Sequence, residues 1–106
     1  MPRAAATTPY RRNLSRADVA TGSMLIDKHA WRLFPPPMEE FTVLVGGQRF
    51  RTRIVAEDCI CVPPQHQHYH LEAGHFRHLL DFSPGRTVAV RRDPEGSYSM
   101  EMADAG

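Results

Sequence analysis

The stretch of sequence that decides the fold is FTVLVGGQRFRTRIV, residues 41–55. A strand-forming run lies on each side of Gly46 and Gly47, and such a pair of runs is typical of a hairpin. Two adjacent glycines favour the turn because a two-residue hairpin turn requires positive φ angles. The stretch therefore predicts two antiparallel strands joined by a tight turn.

Further short elements lie on both sides of this hairpin. Two glycine- or proline-bounded segments have the apolar spacing of a short helix, and the others have the composition of strands. The helical turns are predicted at 29–34 and 75–80, and the additional strands at 24–26, 59–62, 68–71, 87–90 and 97–100. The pattern indicates a mainly β domain with two short helices.

The elements repeat along the chain. An offset of 45 residues superposes Trp31 on Phe76 and Val43 on Val88, and it repeats the order strand, short helix, strand, turn, strand in 24–56 and 69–102. One such unit is too small to bury both faces of its hairpin. We therefore expect two strand-helix-hairpin halves that close on each other into a small closed β-barrel with pseudo-twofold symmetry.

The length of 106 residues corresponds to one domain. We expect a flexible N-terminal arm over 1–22 and a single barrel domain over 23–106, with a Cys/His linker at 57–70 between the halves. No apolar run approaches the ~20 residues of a membrane span. The first residues lack the apolar block of a secretory signal, so a cytoplasmic protein with reduced cysteines is expected.

The net charge does not by itself indicate a nucleic-acid partner. Thirteen basic residues face twelve acidic ones, which gives +1, whereas nucleic-acid-binding domains are often strongly basic. The basic residues are twelve arginines and Lys28. Arginine suits planar, bidentate contacts to phosphate or carboxylate, so the positions of the arginines matter more than their sum.

Part of the second half resembles a known family. The stretch FRHLLDFSPGRTVAV at 76–90, followed by GSYSM at 96–100, resembles the half-barrel of AbrB/SpoVT-type swapped-hairpin domains, although Arg86 stands where that family has an acidic residue. The doubled arrangement over about 24–102 is similar to B3-like pseudobarrels. The resemblance implies DNA rather than RNA as the partner, bound through strands and loops at one barrel face, and a role in transcription regulation.

Three arginines alternate in the second strand of the hairpin. Arg49, Arg51 and Arg53 would share one face about 6.8 Å apart, which approximates the phosphate repeat of a nucleic-acid strand. Arg91 and Arg92 of the last hairpin would extend this nucleic-acid-binding track. The alternative is a solvated strand face whose arginines pair with neighbouring carboxylates.

Two cysteines and three histidines follow in the linker. If 62–65 form a four-residue turn, Cys61 lies opposite His66 and Cys59 opposite His68, with Cβ atoms about 5 Å apart. Two thiolates and two imidazoles are a tetrahedral set that suits a structural Zn2+, and His70 is a further candidate ligand. The alternative is that both cysteines are small buried hydrophobes and that the histidines line a solvated strand.

Two other function classes stay open. His66, His68 and Glu72 are similar to a cupin motif, which implies an iron- or zinc-dependent enzyme. However, the histidine pair that a cupin needs further upstream is replaced by PPPM at 35–38, so enzyme activity is not expected. A protein-interaction adaptor, as a homodimer or with another partner, is the third class because the near-neutral charge suits it.

Overall fold

The computed structural model describes residues 9–59 and 66–103. Eight short strands are the main elements of this part of the chain. In order, the elements are β1 (Tyr10–Asn13), α1 (Arg16–Thr21), β2 (Ser23–Ile26), the 3-10 helix η1 (Lys28–Leu33), β3 (Phe41–Val45), β4 (Gln48–Thr52), β5 (Ile54–Cys59), β6 (His66–Glu72), the 3-10 helix η2 (Arg77–Leu79), β7 (Thr87–Arg92) and β8 (Tyr98–Met102). The mainly β class with short helices is confirmed, and α1 is an additional helix.

The predicted hairpin is present as β3 and β4. Val45 pairs with Gln48 across a turn formed by Gly46 and Gly47, whose φ angles are +57° and +81°. A side chain at these positions would be strained, and a Cβ on Gly46 would also lie 3.5 Å from Leu79. The prediction succeeded because the turn chemistry and the strand pattern are both local in sequence.

The strands form two sheets. The first has the order β1-β7-β8-β3-β4, in which β3 and β8 are parallel and the other neighbours are antiparallel. The second has the antiparallel order β2-β6-β5. Within the described residues neither sheet closes on itself, so the predicted closed barrel is not confirmed.

Isolated contacts join the sheets where a closed barrel would need a continuous ladder. The Tyr10 hydroxyl on β1 donates to Leu25 O on β2 and accepts from the backbone N–H of Asp27. At another corner the backbone N–H of Met38 donates to Ile54 O. These contacts satisfy single backbone groups without forming strand pairs, and in the described residues the two sheets are hydrogen-bonded separately.

The element order repeats as predicted. The series β2, η1, β3, β4 is followed by β6, η2, β7, β8, and β1 and β5 each precede one series. Met24 pairs with Leu71, which is the counterpart of Ile26 at the 45-residue offset. Ile26 in turn pairs with Tyr69, which is the counterpart of Met24. This exchange is the register that a local two-fold axis between β2 and β6 requires.

The repeat does not extend to the aromatic pair that the offset superposes. Phe76 is fully buried and packs on Phe50, with ring centroids 5.4 Å apart. Trp31 is only partly buried and stacks on Tyr69 at 3.9 Å, and its indole N–H donates to Ile26 O. The two rings therefore differ in role, because Trp31 covers the end of the second sheet whereas Phe76 fills the core.

Residues 10–21, which the sequence places in a flexible arm, form β1 and α1. Tyr10 and Leu14 are core residues with 4% and 2% exposure. The helix has a capping box in which the Ser15 hydroxyl accepts from the Asp18 N–H and the Asp18 carboxylate accepts from the Ser15 N–H. The described domain thus begins before position 23, and 1–8 lie outside the described residues.

The core lies between the two sheets. Its fully buried side chains come from both sheets and from the segment before η2, namely Met24, Val43, Val45, Ile54, Leu71, Phe76, Val88 and Val90. Their burial fixes which face of each strand is turned outward. In the described part of the chain, no helix combines the length and the hydropathy that crossing a bilayer requires.

Candidate nucleic-acid interface

The outer face of the five-stranded sheet carries two of the predicted arginines on one strand. Val43 and Val45 point to the core, so Leu44 points outward, and Arg49 pairs directly with it. Arg51 pairs with Thr42 on the same face, and both arginines are exposed. Since β4 is an edge strand, this pair is accessible from the face and from the side.

Arg53 does not continue this row. It follows the end of β4, and its Nε donates to Glu72 Oε1 at 3.1 Å. Its backbone carbonyl also accepts from the Glu72 N–H. The row of three arginines is therefore reduced to Arg49 and Arg51, because the chain crosses to the second sheet at Arg53.

Arg91 and Arg92 point to opposite sides of β7. Arg91 pairs with Ser99 on the outer face, and its Nε lies 3.7 Å from Glu101 Oε2. Arg92 pairs with the buried Tyr98 at the end of the strand and is exposed there. Only Arg91 thus shares the face of Arg49, and two strands, β8 and β3, separate β7 from β4.

Carboxylates accompany part of this surface. Arg51 Nη1 lies 3.4 Å from Glu40 Oε1, with side chains 78% and 58% exposed. Exposed pairs of this kind contribute about 0–1 kcal/mol, so an incoming phosphate can replace the carboxylate at small cost. Arg49 has no carboxylate within 4.0 Å among the described residues, although Asp93 and Glu95 line the same shallow groove.

The Cys/His cluster has a different register from the predicted one. Cys59 pairs with His66, Glu57 with His68 and Val55 with His70. The expected pairing of Cys59 with His68 is wrong by two residues, because the connection between β5 and β6 spans 60–65 rather than a four-residue turn. Cys61 lies outside the described residues, but its expected pairing with His66 is also wrong, because Cys59 is the residue opposite His66.

Two candidate ligands near the cluster have other partners in the structure. His70 Nε2 lies 3.1 Å from Glu57 Oε1, and Glu72, the carboxylate of the cupin alternative, accepts from Arg53. Across 9–59 and 66–103, no three His, Cys, Asp or Glu side chains are grouped so that they could hold a metal ion. Of the four predicted zinc ligands, Cys59 and His66 are thus neighbours by strand pairing, whereas His68 lies opposite Glu57.

A basic cleft was missed by the sequence analysis. It lies where the start of β1, the helix η1 and the end of β7 meet, and its lining includes Arg11, Arg32 and Arg92 with His29. These residues are far apart in sequence and come from three elements. Neither periodicity nor spacing could have brought them together, because their proximity depends on the pairing of β1 with β7.

Two buried tyrosines hold the same end of the fold. Burial raises the pKa of Tyr10 to about 12, with a further contribution from the charge of Asp27. Burial also raises the pKa of Tyr98, whose hydroxyl donates to Leu33 O at the end of η1. Both phenols stay neutral at physiological pH and act as hydrogen-bonding anchors for the backbone around the cleft.

Comparison with known proteins gives a clear result only for the fold. The sequence matches no protein-family model and no curated protein. The structure is similar to a solved structure described as an Arabidopsis FUS3-DNA complex, a plant B3 domain, with a TM-score of 0.68 and 19% identity over 92% of this chain and 97% of that chain. The chain has a B3-like fold. The B3-like pseudobarrel is thus confirmed, and the AbrB/SpoVT resemblance stays a prediction.

Proposed function

We propose that this B3-like protein binds DNA. The observation that carries the proposal is its likeness, over 92% of the chain, to a domain whose solved structure is a DNA complex. The near-neutral total charge is compatible with this function because local arginines can supply the phosphate contacts. A regulatory role and a cytoplasmic location follow from the sequence analysis and stay predictions.

Arg49 and Arg51 are the proposed phosphate contacts. They lie two residues apart on an exposed edge strand, so their side chains leave the backbone on one face at positions about 6.8 Å apart. Arginine forms charge-assisted, often bidentate hydrogen bonds with phosphate. Such contacts position the protein on a duplex and make its affinity depend on salt, while base recognition requires other groups.

The test is a salt titration of binding to a generic duplex. Each lost phosphate contact lowers the slope of log affinity against log salt by about 0.9, so Arg49→Gln/Arg51→Gln lowers it by roughly 2. The control Lys28→Gln/Arg86→Gln removes the same charge away from this face and leaves the slope nearly unchanged. Equal slopes for the two variants would refute the proposed contacts.

The protein as a whole also needs a direct test. At low salt the wild type is expected to bind duplex DNA more tightly than duplex RNA of the same sequence. Absence of saturable binding to either duplex contradicts the proposed function and favours the adaptor, alone or as a homodimer. Sedimentation analysis of the same samples measures the oligomeric state.

A structural zinc held by Cys59, Cys61, His66 and His68 is a second, finer proposal. Its support is the strand register, which pairs Cys59 with His66. Metal analysis of untagged protein is expected to give about one zinc per chain and to lose it in Cys59→Ser. The control His75→Asn, outside the cluster, is expected to keep it. Metal-free, folded wild-type protein would overturn the zinc proposal.

A further inference from the structure

The basic cleft is large enough for an organic ligand. Its volume is about 460 Å³, which lies within the roughly 300–1,000 Å³ typical of small-molecule sites. The start of β1, the helix η1 and the end of β7 enclose it. The residues used in the argument below are Tyr10, Arg11, His29, Arg32, Leu33 and Arg92.

The cleft has a strong positive charge for its size. Arg32 and Arg92 line it together with the strand residue Arg11, and its lining residues include no Asp or Glu. In the ranges that the structure describes, none of Arg11, Arg32 and Arg92 has a carboxylate within 4.0 Å, whereas Arg12, next to Arg11, is paired with Asp18 at 2.9 Å. Arginines that share a cleft without counter-ions give it a positive potential, which favours an anion.

The remaining wall includes aromatic and aliphatic side chains. The Tyr10 hydroxyl donates to Leu25 O on β2 and accepts from the backbone N–H of Asp27, and both hydrogen bonds hold the ring. It contacts His29 edge to face, with ring centroids 6.1 Å apart, and Leu33 lines the cleft beside it. An anionic group would thus be bound by the arginines, while an attached apolar or planar group could pack on this wall.

We propose that this cleft binds the phosphate group of a small phosphorylated ligand of about the size of a nucleoside monophosphate. Phosphate fits because its three oxygens can accept hydrogen bonds from several guanidinium groups at once. The site is separate from the proposed DNA contacts. It includes Arg11 on edge strand β1, whereas Arg49 and Arg51 lie on the opposite edge strand β4, about 19 Å away across four strand spacings.

The experiment is calorimetric titration of the full chain with AMP at low salt, compared with adenosine and with inorganic phosphate. We expect saturable binding of AMP, weaker binding of phosphate and none of adenosine. Arg32→Gln and Arg92→Gln are each expected to weaken AMP binding at least about tenfold, because each removes a charge-assisted hydrogen bond. Both side chains are exposed, and circular dichroism verifies that the variants fold.

The control and the competition arm determine the source of the phosphate. Arg49→Gln is expected to bind AMP like the wild type. If an excess of duplex DNA leaves AMP bound, the natural ligand is a free small molecule. If the duplex displaces AMP and Arg92→Gln weakens both ligands, the cleft takes a backbone phosphate of DNA. Either result supports a phosphate site.

Two results would overturn the proposal. One is that Arg32→Gln and Arg92→Gln both bind AMP as tightly as the wild type does. The other is equal binding of AMP and adenosine, which would show that the phosphate contributes nothing. Neither result bears on the proposed DNA binding, because that function is measured separately with Arg49→Gln/Arg51→Gln and a duplex.

Discussion

Asp18 is the side chain whose replacement tests the N-terminal part of the fold most directly. It is 2% exposed and connects three elements. Its Oδ2 accepts from Arg12 Nε on β1 at 2.9 Å and from the Ser15 N–H at 3.1 Å, and its Oδ1 accepts from the Leu25 N–H on β2 at 3.3 Å. Asp18→Asn changes the charge and one acceptor while keeping the shape.

The cost follows from the hydrogen bonds that an amide can keep. An Asn with its oxygen at the Oδ2 position keeps the contacts to Arg12 and Ser15, but its NH2 group then faces the Leu25 N–H. Leaving that buried donor unsatisfied costs about 1–3 kcal/mol, and the loss of charge assistance at Arg12 costs about 1 kcal/mol more. With the amide flipped, its NH2 group faces the Arg12 and Ser15 donors, so two hydrogen bonds are lost and the cost is larger. We therefore expect a loss of about 2–4 kcal/mol.

Urea unfolding followed by the fluorescence of Trp31, the single tryptophan, measures this loss. The control is Asp81→Asn, an exposed carboxylate paired with Arg86, for which a loss below about 1 kcal/mol is expected. The Arg12 pKa agrees with this assignment: burial lowers it, but the hydrogen bond and the charge of Asp18 outweigh burial and raise it. An Asp18→Asn loss no larger than that of Asp81→Asn refutes the argument.

Two further predictions concern the aromatic residues. Folding raises the pKa of Tyr10 from 10.0 to about 12, so its contribution to stability is complete below pH 10 and is lost between pH 10 and 12, by up to roughly 2–3 kcal/mol. Tyr10→Phe is expected to flatten this decline in urea unfolding at pH 8 to 11. An unchanged decline contradicts the prediction. Phe76→Ala is expected to cost about 3–5 kcal/mol, and Trp31→Ala less, since Trp31 is only partly buried. Unfolding followed by circular dichroism measures both losses, and a Trp31→Ala loss equal to or larger than that of Phe76→Ala contradicts the roles assigned from burial.

The fold was predictable where the signal is local. The hairpin at Gly46 and Gly47 depends on turn residues and on strand composition, and both are visible in one short stretch. The order of elements in the two halves follows from the same kind of signal, and it led to the B3-like assignment. Because each element carries its own sequence evidence, an error in predicting one element does not affect the prediction of the others.

The N-terminal strand could not be predicted in this way. Tyr10 and Leu14 are buried by partners that lie far along the chain, since β1 pairs with β7 and Leu14 exchanges backbone hydrogen bonds with Gly85 and Arg86. Between them stand Arg11 and Arg12, which give the segment the composition of a solvated arm. The Cys/His register was wrong for a related reason, because the length of the connection between β5 and β6 fixes which residues face each other, and residue spacing alone does not give that length.

The positions of the charges in the structure differ from what the net charge suggests. A net charge of +1 suggests a surface without strong fields, but the acidic residues are distributed unevenly. Carboxylates accompany Arg12, Arg51, Arg86 and Arg91, among others. The arginines without such partners in the described residues include Arg49 at one edge of the large sheet and the three of the basic cleft at the other. Since screening limits electrostatic effects to about 10 Å at 0.1 M salt, an anion near either edge experiences the local arginines rather than the average charge.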